Sequence, residues 1–499
     1  MNNPLFSNYI CFNTPKMVKN FLTNNPACTI WFQDANHASN KVFQMIRNLQ
    51  LIQRHAQLKE LGSQLKLALL KELIHAPATC QQLANLFDQS KQKIHYNLNQ
   101  MLKEGLLQIV ELPSGGGREV YYRATARTYV LDLSIGLENN GNVLNSRAII
   151  NGIMERDHHI DLAGIAAKLI DQAFKLVPGE RLLIVSGKFN FPLVEKLKLE
   201  AGRRGIFCTL IYQDLDALKA KYEQFSLAAF KADYEDLNRH LKTADVYLNL
   251  NGEARFLQLK DPKKLALRNR MLERSKQIIR ERGVRVAMMP GLLQDTLSEG
   301  AIESEVQFWR ALDIDFKRQC CQTLAKCREL SGKDTVRLSG RNSSLSFRIE
   351  KIVAECGSFG QNEFQSPVIN LPGGEILMIP KAGSMNGTLA SERIHVFGEE
   401  VLRPVLEIGN NEIVGYQAQK GAEHLARALE SGGADGCKAA LICLGTNENI
   451  HLGDIDTALK HKSSGNLSVF WGDNRSLGGD VSGAYEWFMQ IEEPLLSFN

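Results

Sequence analysis

Residues 465–474 read GNLSVFWGDN, and this stretch decides the fold of the C-terminal part of the chain. A run of residues typical of a β-strand is followed at once by Gly-Asp-Asn, which is a turn signal. Similar short runs, rich in glycine and asparagine, recur between 336 and 499: TVRLSG, SLSFRIEKIVAECG, GEILMIP, GTLASE and ALICLG. A helical pattern appears there mainly in GAEHLARALESGG. The sequence therefore predicts a β-rich lobe over 336–499.

Upstream, residues 160–335 alternate between strand and helix patterns. RLLIVSG (181–187) is an apolar run of the buried-strand type, and PLVEKLKLEAGRRG (192–205) has helical spacing. Further strand-like runs follow in IFCTLIYQD, TADVYLNLN and VRVAMMPG. Such alternation predicts an α/β lobe with a mostly parallel sheet. PGERLLIVSG lacks both glycine-rich phosphate-binding patterns, which argues against a nucleotide loop.

Residues 58–130 show three helical segments followed by a β-hairpin. Residues 65–76 have apolar side chains at i, i+3, i+4 spacing, Thr79 is placed to cap a second helix, and a third runs from Ser90 to Gly105. Two strand patterns then flank the glycine-rich turn PSGGGRE. This is the plan of a winged helix-turn-helix, and NLNQMLKEGLL and YYRAT resemble the arsenic-repressor-type winged helices of bacterial transcription factors.

The third of these helices has two different faces. Its predicted inward residues are Ile94, Leu98, Met101 and Leu102. The opposite face keeps polar residues outward, where they can meet base edges and phosphates of duplex DNA. The predicted DNA contacts, including basic residues of the hairpin wing, are Ser90, Lys91, Gln92, Lys93, His95, Tyr96, Asn99, Arg118 and Arg123. Eight Lys/Arg against five Asp/Glu over 61–130 give a local excess of three. This excess is modest, so the alternative is a winged helix used only for protein contacts.

Two other segments carry less information. Residues 1–57 give no functional signal, although VFQMIRNLQLIQRHAQL (42–58) predicts a connecting helix. Residues 131–159 predict a connector, with NNGNVLNS as a hinge or surface loop. The adjacent His158 and His159 cannot share one face of a helix or strand, which argues against a metal site there.

The composition predicts a soluble, cytoplasmic protein of two to four domains. Of its 499 residues 44% are hydrophobic and 23% charged, and no run approaches the ~18 apolar residues of a membrane span. The N-terminus lacks the order of a secretory signal. The ten cysteines show no paired CxxC spacing, which indicates reduced thiols. A net charge of +4 is too small to indicate nucleic-acid binding by itself.

The sequence from about residue 160 to 499 resembles the aminopeptidase T (thermophilic leucyl aminopeptidase) family of metalloaminopeptidases. The motifs that carry the resemblance follow the family's order: PGERLLI, MMPGLLQDTLSEGAIESEVQFW, INLPGGEILMIPKAGSMNGTL, LGTNENIHLG and GNLSVFWGDNRSLGGDVSGAYEWFM. The resemblance implies an α/β lobe and a β-rich lobe of aminopeptidase T type, and assembly as a homodimer. In active members it also implies two metal ions, which carboxylate, histidine and tyrosine side chains hold.

The positions that the resemblance assigns to the metal site have lost most of their donors. Glu375 matches a bridging glutamate. The other former positions carry Leu441, Ser468, Arg475, Tyr485 and Trp487. Because one glutamate cannot hold two ions, we expect no metal and no other cofactor. A register shift by one residue would bring in Glu486. The best relocated ligand set is His451, Asp454, Asp456 and His461.

Together these observations predict a DNA-binding regulator. Its C-terminal region would be a catalytically inactive aminopeptidase-like domain that senses a peptide or small-molecule ligand or supplies a dimer interface. One alternative is a metal-dependent aminopeptidase, or another hydrolase, with rearranged ligands. A second alternative is a peptide-binding scaffold or accessory protein.

Overall fold

The computed structural model describes most of the chain as two compact units. The described residues are 46–52, 54–110, 120–131, 146–213, 215–250, 261–290, 299–333, 335–360, 363–365, 368–450 and 459–498. The smaller unit comprises the described residues up to Ile160 and those of Gln294–Val306, and the larger unit comprises the rest. Within these ranges, no helix combines the length and the apolar character that crossing a membrane requires.

The smaller unit packs short helices and strands around one apolar core. Its helices up to Ile160 are α1 (His55–Leu61), α2 (Gln64–His75), α3 (Cys80–Leu86), α4 (Lys91–Lys103) and α5 (Ser146–His158). Its strands are β1 (Arg47–Ile52), β2 (Ala78–Thr79), β3 (Leu107–Val110), β4 (Tyr121–Ala124) and β5 (Ala126–Leu131). Strands β2, β4 and β3 form an antiparallel sheet in that order, whereas β1 pairs in parallel with β5. Leu69 of α2 and Ile94, Leu98 and Met101 of α4 are fully buried in the core.

The three helices predicted between 65 and 105 correspond to α2, α3 and α4, and side chains cap the N-termini of α3 and α4. Thr79 Oγ1 accepts the N–H of Gln82 at 3.2 Å, and Gln82 Oε1 accepts the N–H of Thr79 at 2.8 Å. This reciprocal pair is a capping box, so Thr79 caps α3 as predicted. Ser90 Oγ accepts the N–H of Lys93 at 3.3 Å at the start of α4.

The prediction of a connecting helix over 42–58 is wrong. Residues 47–52 form β1, which lies beside β5 with Arg47 opposite Ala126 and Ile52 opposite Leu131, and a helix begins only at His55. The partner strand lies more than seventy residues away. Pairing with this distant strand overrides the helical spacing of the local sequence. A single sequence window cannot reveal such a pairing. Helix α5 likewise lies within the predicted connector 131–159.

The larger unit begins with a parallel sheet flanked by helices. The strands are β6 (Arg181–Ser186), β7 (Phe207–Tyr212), β8 (Val246–Asn249), β9 (Arg285–Met288) and β13 (Val368–Asn370). Their order is β13-β9-β8-β6-β7 and every pair is parallel, which confirms the predicted mostly parallel sheet. The helices of the chain between 161 and 335 are α6 (Leu162–Lys168), which continues as a π-helix (Leu169–Ala173), α7 (Phe191–Arg203), α8 (Leu215–Gln224), α9 (Leu227–Leu241), α10 (Pro262–Arg282), α11 (Glu299–Leu312) and α12 (Phe316–Leu330).

The C-terminal part of this unit is β-rich, as predicted. Its strands are β10 (Val336–Gly340), β11 (Ser343–Phe347), β12 (Ile349–Glu355), β14 (Glu375–Pro380), β15 (Asn386–Ala390), β16 (Arg393–Val396), β17 (Glu399–Leu402), β18 (Val405–Gly409), β19 (Glu412–Gln417), β20 (Ala439–Gly445), β21 (Leu467–Asp473), β22 (Ser482–Ile491) and β23 (Leu495–Phe498), and its helix is α13 (Ala422–Ser431). A six-stranded sheet (β19-β18-β15-β11-β10-β23) and a five-stranded sheet (β12-β14-β20-β21-β22) share one apolar core. The stretch 465–474, which contains β21, therefore lies inside the five-stranded sheet.

Candidate functional site

The candidate site lies on the face of the five-stranded sheet that points away from the shared core. Ile376 belongs to the shared core, whereas the next residue, Leu377, belongs to a smaller apolar cluster on the opposite face. Because side chains alternate along a strand, Glu375 shares this second face with Leu377. Ser468 lies on the same face, since its register partner Cys443 is a member of the smaller cluster. We call this surface the Glu375 face.

Two glycines allow the chain before Glu375 to pass close to its neighbours. A Cβ added to Gly373 would lie 2.3 Å from the backbone nitrogen of Gly357, and one added to Gly374 would lie 2.6 Å from the Cβ of Asn447. Gly374 also has φ of 108°, a conformation that side chains disfavour. The Pro-Gly-Gly sequence thus fixes where β14, and with it the Glu375 carboxylate, begins.

The Glu375 carboxylate is fully buried among three polar side chains. Lys462 Nζ lies 2.8 Å from its Oε1 and donates to the carbonyl of Pro372 at 2.8 Å. His461 Nε2 lies 3.3 Å from Oε2, and Cys443 Sγ donates to the same oxygen at 3.2 Å. The side chains of Lys462 and His461 are only 6% and 1% exposed. A lysine ammonium therefore supplies the positive charge beside this carboxylate, out of contact with bulk water.

Burial and nearby charges set the protonation of two facing carboxyl groups. Burial alone would raise the pKa of Glu375, but the charge of Lys462 and the neighbouring His461 hold that pKa well below its usual range. Burial and the negative charge of Glu375 raise the pKa of Glu355, its register partner on β12, to about 8. At neutral pH the pair is therefore ionised at Glu375 and protonated at Glu355. One negative charge remains, and Lys462 balances it.

Aromatic rings pack against the same cluster. The ring of His461 lies 5.5 Å from that of Phe470 and 5.8 Å from that of Phe488, and these two phenylalanine rings stack at 4.9 Å. Ser468 Oγ is fully buried and has no hydrogen-bond partner among the described residues. The Glu375 face is thus lined by an ion pair and packed rings. Few oxygen or nitrogen atoms remain on it that could coordinate a metal ion.

Three of the six former metal-site positions lie on this face. They are Glu375, Leu441 and Ser468, and Leu441 packs within the smaller apolar cluster. Arg475 lies beyond the end of β21, where its Nε is 3.0 Å from Oδ2 of Asp473 and its side chain is 38% exposed. Arg475 therefore does not join the cluster.

The last two positions face the shared core instead. Tyr485 packs against that core, and Trp487 stacks on Trp471 with ring centroids 4.3 Å apart. Phe488, by contrast, packs against the smaller cluster, so alternation along β22 places Glu486 on the Glu375 side of the sheet. The alignment shifted by one residue, which brings in Glu486, is therefore the one that the geometry favours.

Sequence reasoning missed Glu355 and Lys462. Glu355 had a signal, because it is a single acidic residue at the end of the apolar run IVAEC, where an unpaired carboxylate would be costly. Lys462 had none, because KHKSSG resembles a polar surface loop. In the structure, Lys462 is buried and turns inward to Glu375.

Of the relocated ligand set, only His461 can be located. His451, Asp454 and Asp456 fall outside the described residues. Across the parts of the chain that the structure describes, no three His, Cys, Asp or Glu side chains are grouped so that they could hold a metal ion.

A second candidate surface is the outer face of α4. Lys91, Gln92, His95, Tyr96 and Asn99 are exposed, with Tyr96 at 63%, while Ile94, Leu98 and Met101 on the opposite face are buried. A shallow depression of about 390 Å³ runs along it, lined by Gln92, His95, Tyr96, Asn99, Gln100 and Lys103. The amphipathic division predicted for this helix is present.

The remaining predicted DNA contacts differ in accessibility. Ser90 caps α4 with its hydroxyl, and the exposed Lys93 donates to Gln89 Oε1 at 2.7 Å. Arg123 is half-buried on β4, and its Nε has no hydrogen-bond partner among the described residues. Arg118 lies outside the described residues.

Comparison with protein-family models and with curated proteins gives no match. Among solved structures, the chain is similar to wild-type AmpT from Thermus thermophilus, at 17% identity and a TM-score of 0.51 over 68% of this chain and 94% of that one. It also matches 2,5-dihydroxypyridine dioxygenase from Pseudomonas putida KT2440, at 14% identity and a TM-score of 0.47 over 67% of this chain and 93% of that one. The first similarity shows that about two-thirds of the chain has an aminopeptidase-like fold.

Proposed function

We propose that the chain is a DNA-binding regulator built from a winged helix and a catalytically inactive aminopeptidase-like region. The observation that supports DNA binding is the exposed face of α4. It presents amide, imidazole, phenol and ammonium groups along one side of a helix whose other side is buried. These are the groups that read base edges and phosphates in a DNA groove.

The ion pair on the Glu375 face supports the second part of the proposal, a catalytically inactive aminopeptidase-like region. A catalytic metal pair needs several donors around an open position, and it needs the bridging carboxylate to be available. Here Lys462 and His461 already contact Glu375, and apolar or aromatic side chains hold much of the remaining surface. A region of this kind serves better to bind a peptide or small ligand, or to hold subunits together, than to activate water.

DNA binding is tested with the full chain by selection from random duplexes, followed by titration at several salt concentrations. Lys91→Ala should lower affinity for every sequence and reduce the salt slope by roughly one unit, because one phosphate contact is lost. Gln92→Ala and Asn99→Ala should instead change the selected sequence. Lys420→Ala, an exposed lysine outside the smaller unit, is the matched control. If no duplex is selected, or if all variants bind alike, the chain is not a DNA reader of this kind.

The second candidate function is a hydrolase with rearranged ligands. The aminopeptidase-like fold favours it, and so does the proximity of His461 to Glu375 at 3.3 Å. Metal analysis and peptidase assays on the purified full chain distinguish the two candidates. Stoichiometric zinc, cobalt or manganese, with activity that a chelator abolishes, would favour the hydrolase.

A further inference from the structure

Two cysteines of the larger unit meet where α12 packs against β12. Cys320 lies in α12 and is half-buried, whereas Cys356 directly follows β12 and is 1% exposed. The Cys356 thiol donates to the carbonyl oxygen of Cys320, which lies 3.9 Å from its sulfur, and it also hydrogen-bonds the Cys320 sulfur. The two sulfur atoms are therefore within hydrogen-bond distance of each other, between the helix and the sheet.

The surroundings of the Cys320 sulfur favour a thiolate. Gln365 Nε2 donates to this sulfur at 3.4 Å and to the carbonyl of Ser358 at 3.3 Å, so two contacts hold the amide in place. Hydrogen bonds from Cys356 and from the Ser358 side chain lower the pKa of Cys320, and the charge of Lys175 adds to this effect, although burial opposes it. The same contact with Cys320, together with burial, raises the pKa of Cys356. A nucleophilic sulfur thus lies beside a protonated thiol.

Other cysteines of the described chain have different surroundings. Burial raises the pKa of Cys208 to about 11 and that of Cys327 to about 12, and it raises the pKa of Cys443 well above its usual value. Cys321 is exposed, but as the next residue of α12 it points about 100° away from Cys320 around the helix. Attack on an oxidant requires a thiolate that solvent can reach. Cys320 meets both conditions and has a second thiol within reach.

We propose that Cys320 and Cys356 form a site of reversible oxidation by hydroperoxides, which convert the two thiols to a disulfide. The Cys320 thiolate attacks the distal oxygen of the hydroperoxide, so that an S–O bond forms and the O–O bond breaks. The leaving oxygen takes up a proton and departs as an alcohol, or as water when the oxidant is hydrogen peroxide. Cys320 is then a sulfenic acid.

The second step joins the two sulfurs. The Cys356 sulfur attacks the Cys320 sulfur, and the hydroxyl group leaves as water with the proton of the Cys356 thiol. Together the two thiols lose two electrons, which reduce the O–O bond of the hydroperoxide. A small dithiol would restore both thiols by exchange, so the site is compatible with a chain whose cysteines are reduced at rest.

The test is peptide mapping of the full chain under non-reducing conditions. The reduced protein is treated with stoichiometric hydrogen peroxide near pH 7, its remaining thiols are alkylated, and it is digested with trypsin. We expect a disulfide-linked pair of peptides, one covering 319–326 and the other 352–381, which a dithiol separates. Because the first peptide also contains Cys321, Cys321→Ser is the matched control, and this variant should keep the linked pair.

Two further variants separate the roles of the cysteines. Cys320→Ser should lose the linked pair. Cys356→Ser should lose it as well, but it should leave a sulfenic acid at Cys320 that a cyclic diketone captures. Circular dichroism checks that both variants fold, and mapping of the wild type and of Cys321→Ser decides the matter if they do not. The proposal fails if the folded wild-type chain gives no linked pair, or if Cys321→Ser abolishes that pair. It also fails if a folded Cys320→Ser variant keeps the pair.

Discussion

Removing the ammonium of Lys462 should destabilise the larger unit strongly. In Lys462→Ala the Glu375 carboxylate would keep its burial but lose a partner 2.8 Å away. Breaking a buried ion pair from one side costs about 3–5 kcal/mol, because the remaining charge is left without compensation. The Pro372 carbonyl also loses a 2.8 Å donor, which points to the upper part of that range.

The loss should depend on pH in a definite direction. The pKa of Glu375 is depressed in the folded protein, so its contribution to stability is present above the unfolded value of about 4.5 and is lost as pH falls toward the folded value. Without Lys462, burial would raise the pKa of this carboxyl, and a protonated Glu375 tolerates the missing partner. The difference between wild type and variant should therefore be largest near pH 7 and shrink as pH falls below about 5.

Urea unfolding measures this effect, followed by tryptophan fluorescence because Trp471 and Trp487 stack in the same sheet. Lys420→Ala removes an exposed lysine and should change the free energy of unfolding by less than about 0.5 kcal/mol. The double variant Lys462→Met, Glu375→Gln should recover part of the loss, since neither partner is then charged. A loss below about 1 kcal/mol at pH 7, or one that stays constant as pH falls from 7 to about 3, would refute the buried ion pair.

Three further outcomes are expected. The pKa of Glu355 is raised to about 8, so the contribution of this residue to stability is full below pH ~4.5 and is lost as pH rises through 8. Glu355→Gln should therefore gain stability relative to wild type between pH 6 and 9. Parallel pH profiles of the two proteins would contradict this. Thr79→Ala removes one half of the capping box and should lower the stability of the smaller unit by about 1 kcal/mol in thermal unfolding, whereas a change within error would mean that the cap is dispensable. The purified full chain should contain no stoichiometric zinc, cobalt or manganese and should not release amino acids from aminoacyl substrates, as elemental analysis and a chromogenic assay would establish.

The architecture was predictable wherever local pattern and tertiary context agree. The run RLLIVSG forms β6, and GNLSVFWGDN forms β21, because their apolar residues fit strands with both faces covered. The caps at Thr79 and Ser90 were equally readable, since a capping side chain acts only on its own helix. Contacts between residues near in sequence need no knowledge of the rest of the chain.

The candidate site was less predictable because its partners come from separate segments. The Glu375 carboxylate meets Lys462 nearly ninety residues later and faces Glu355 across the sheet. A lysine in a polar run gives no sign that it is buried, since burial depends on how β14 and β20 bring distant segments together. The placement of Tyr485 and Trp487 depended on a one-residue register, which moves every side chain of a strand to the other face.

The parallel pairing of β1 with β5 has a practical consequence for anyone who wishes to produce the smaller unit alone. A fragment that starts at residue 58, where the recognisable helices begin, would delete a whole strand and leave the backbone edge of β5 bare. It would also remove Ile52, which is fully buried, and the amide of Gln50, which donates to the carbonyl of Gly105 at 3.1 Å. An unpaired strand edge and an opened core both promote aggregation. An expression fragment should therefore begin upstream of Arg47 and extend to Ile160, so that it keeps β1, β5 and α5.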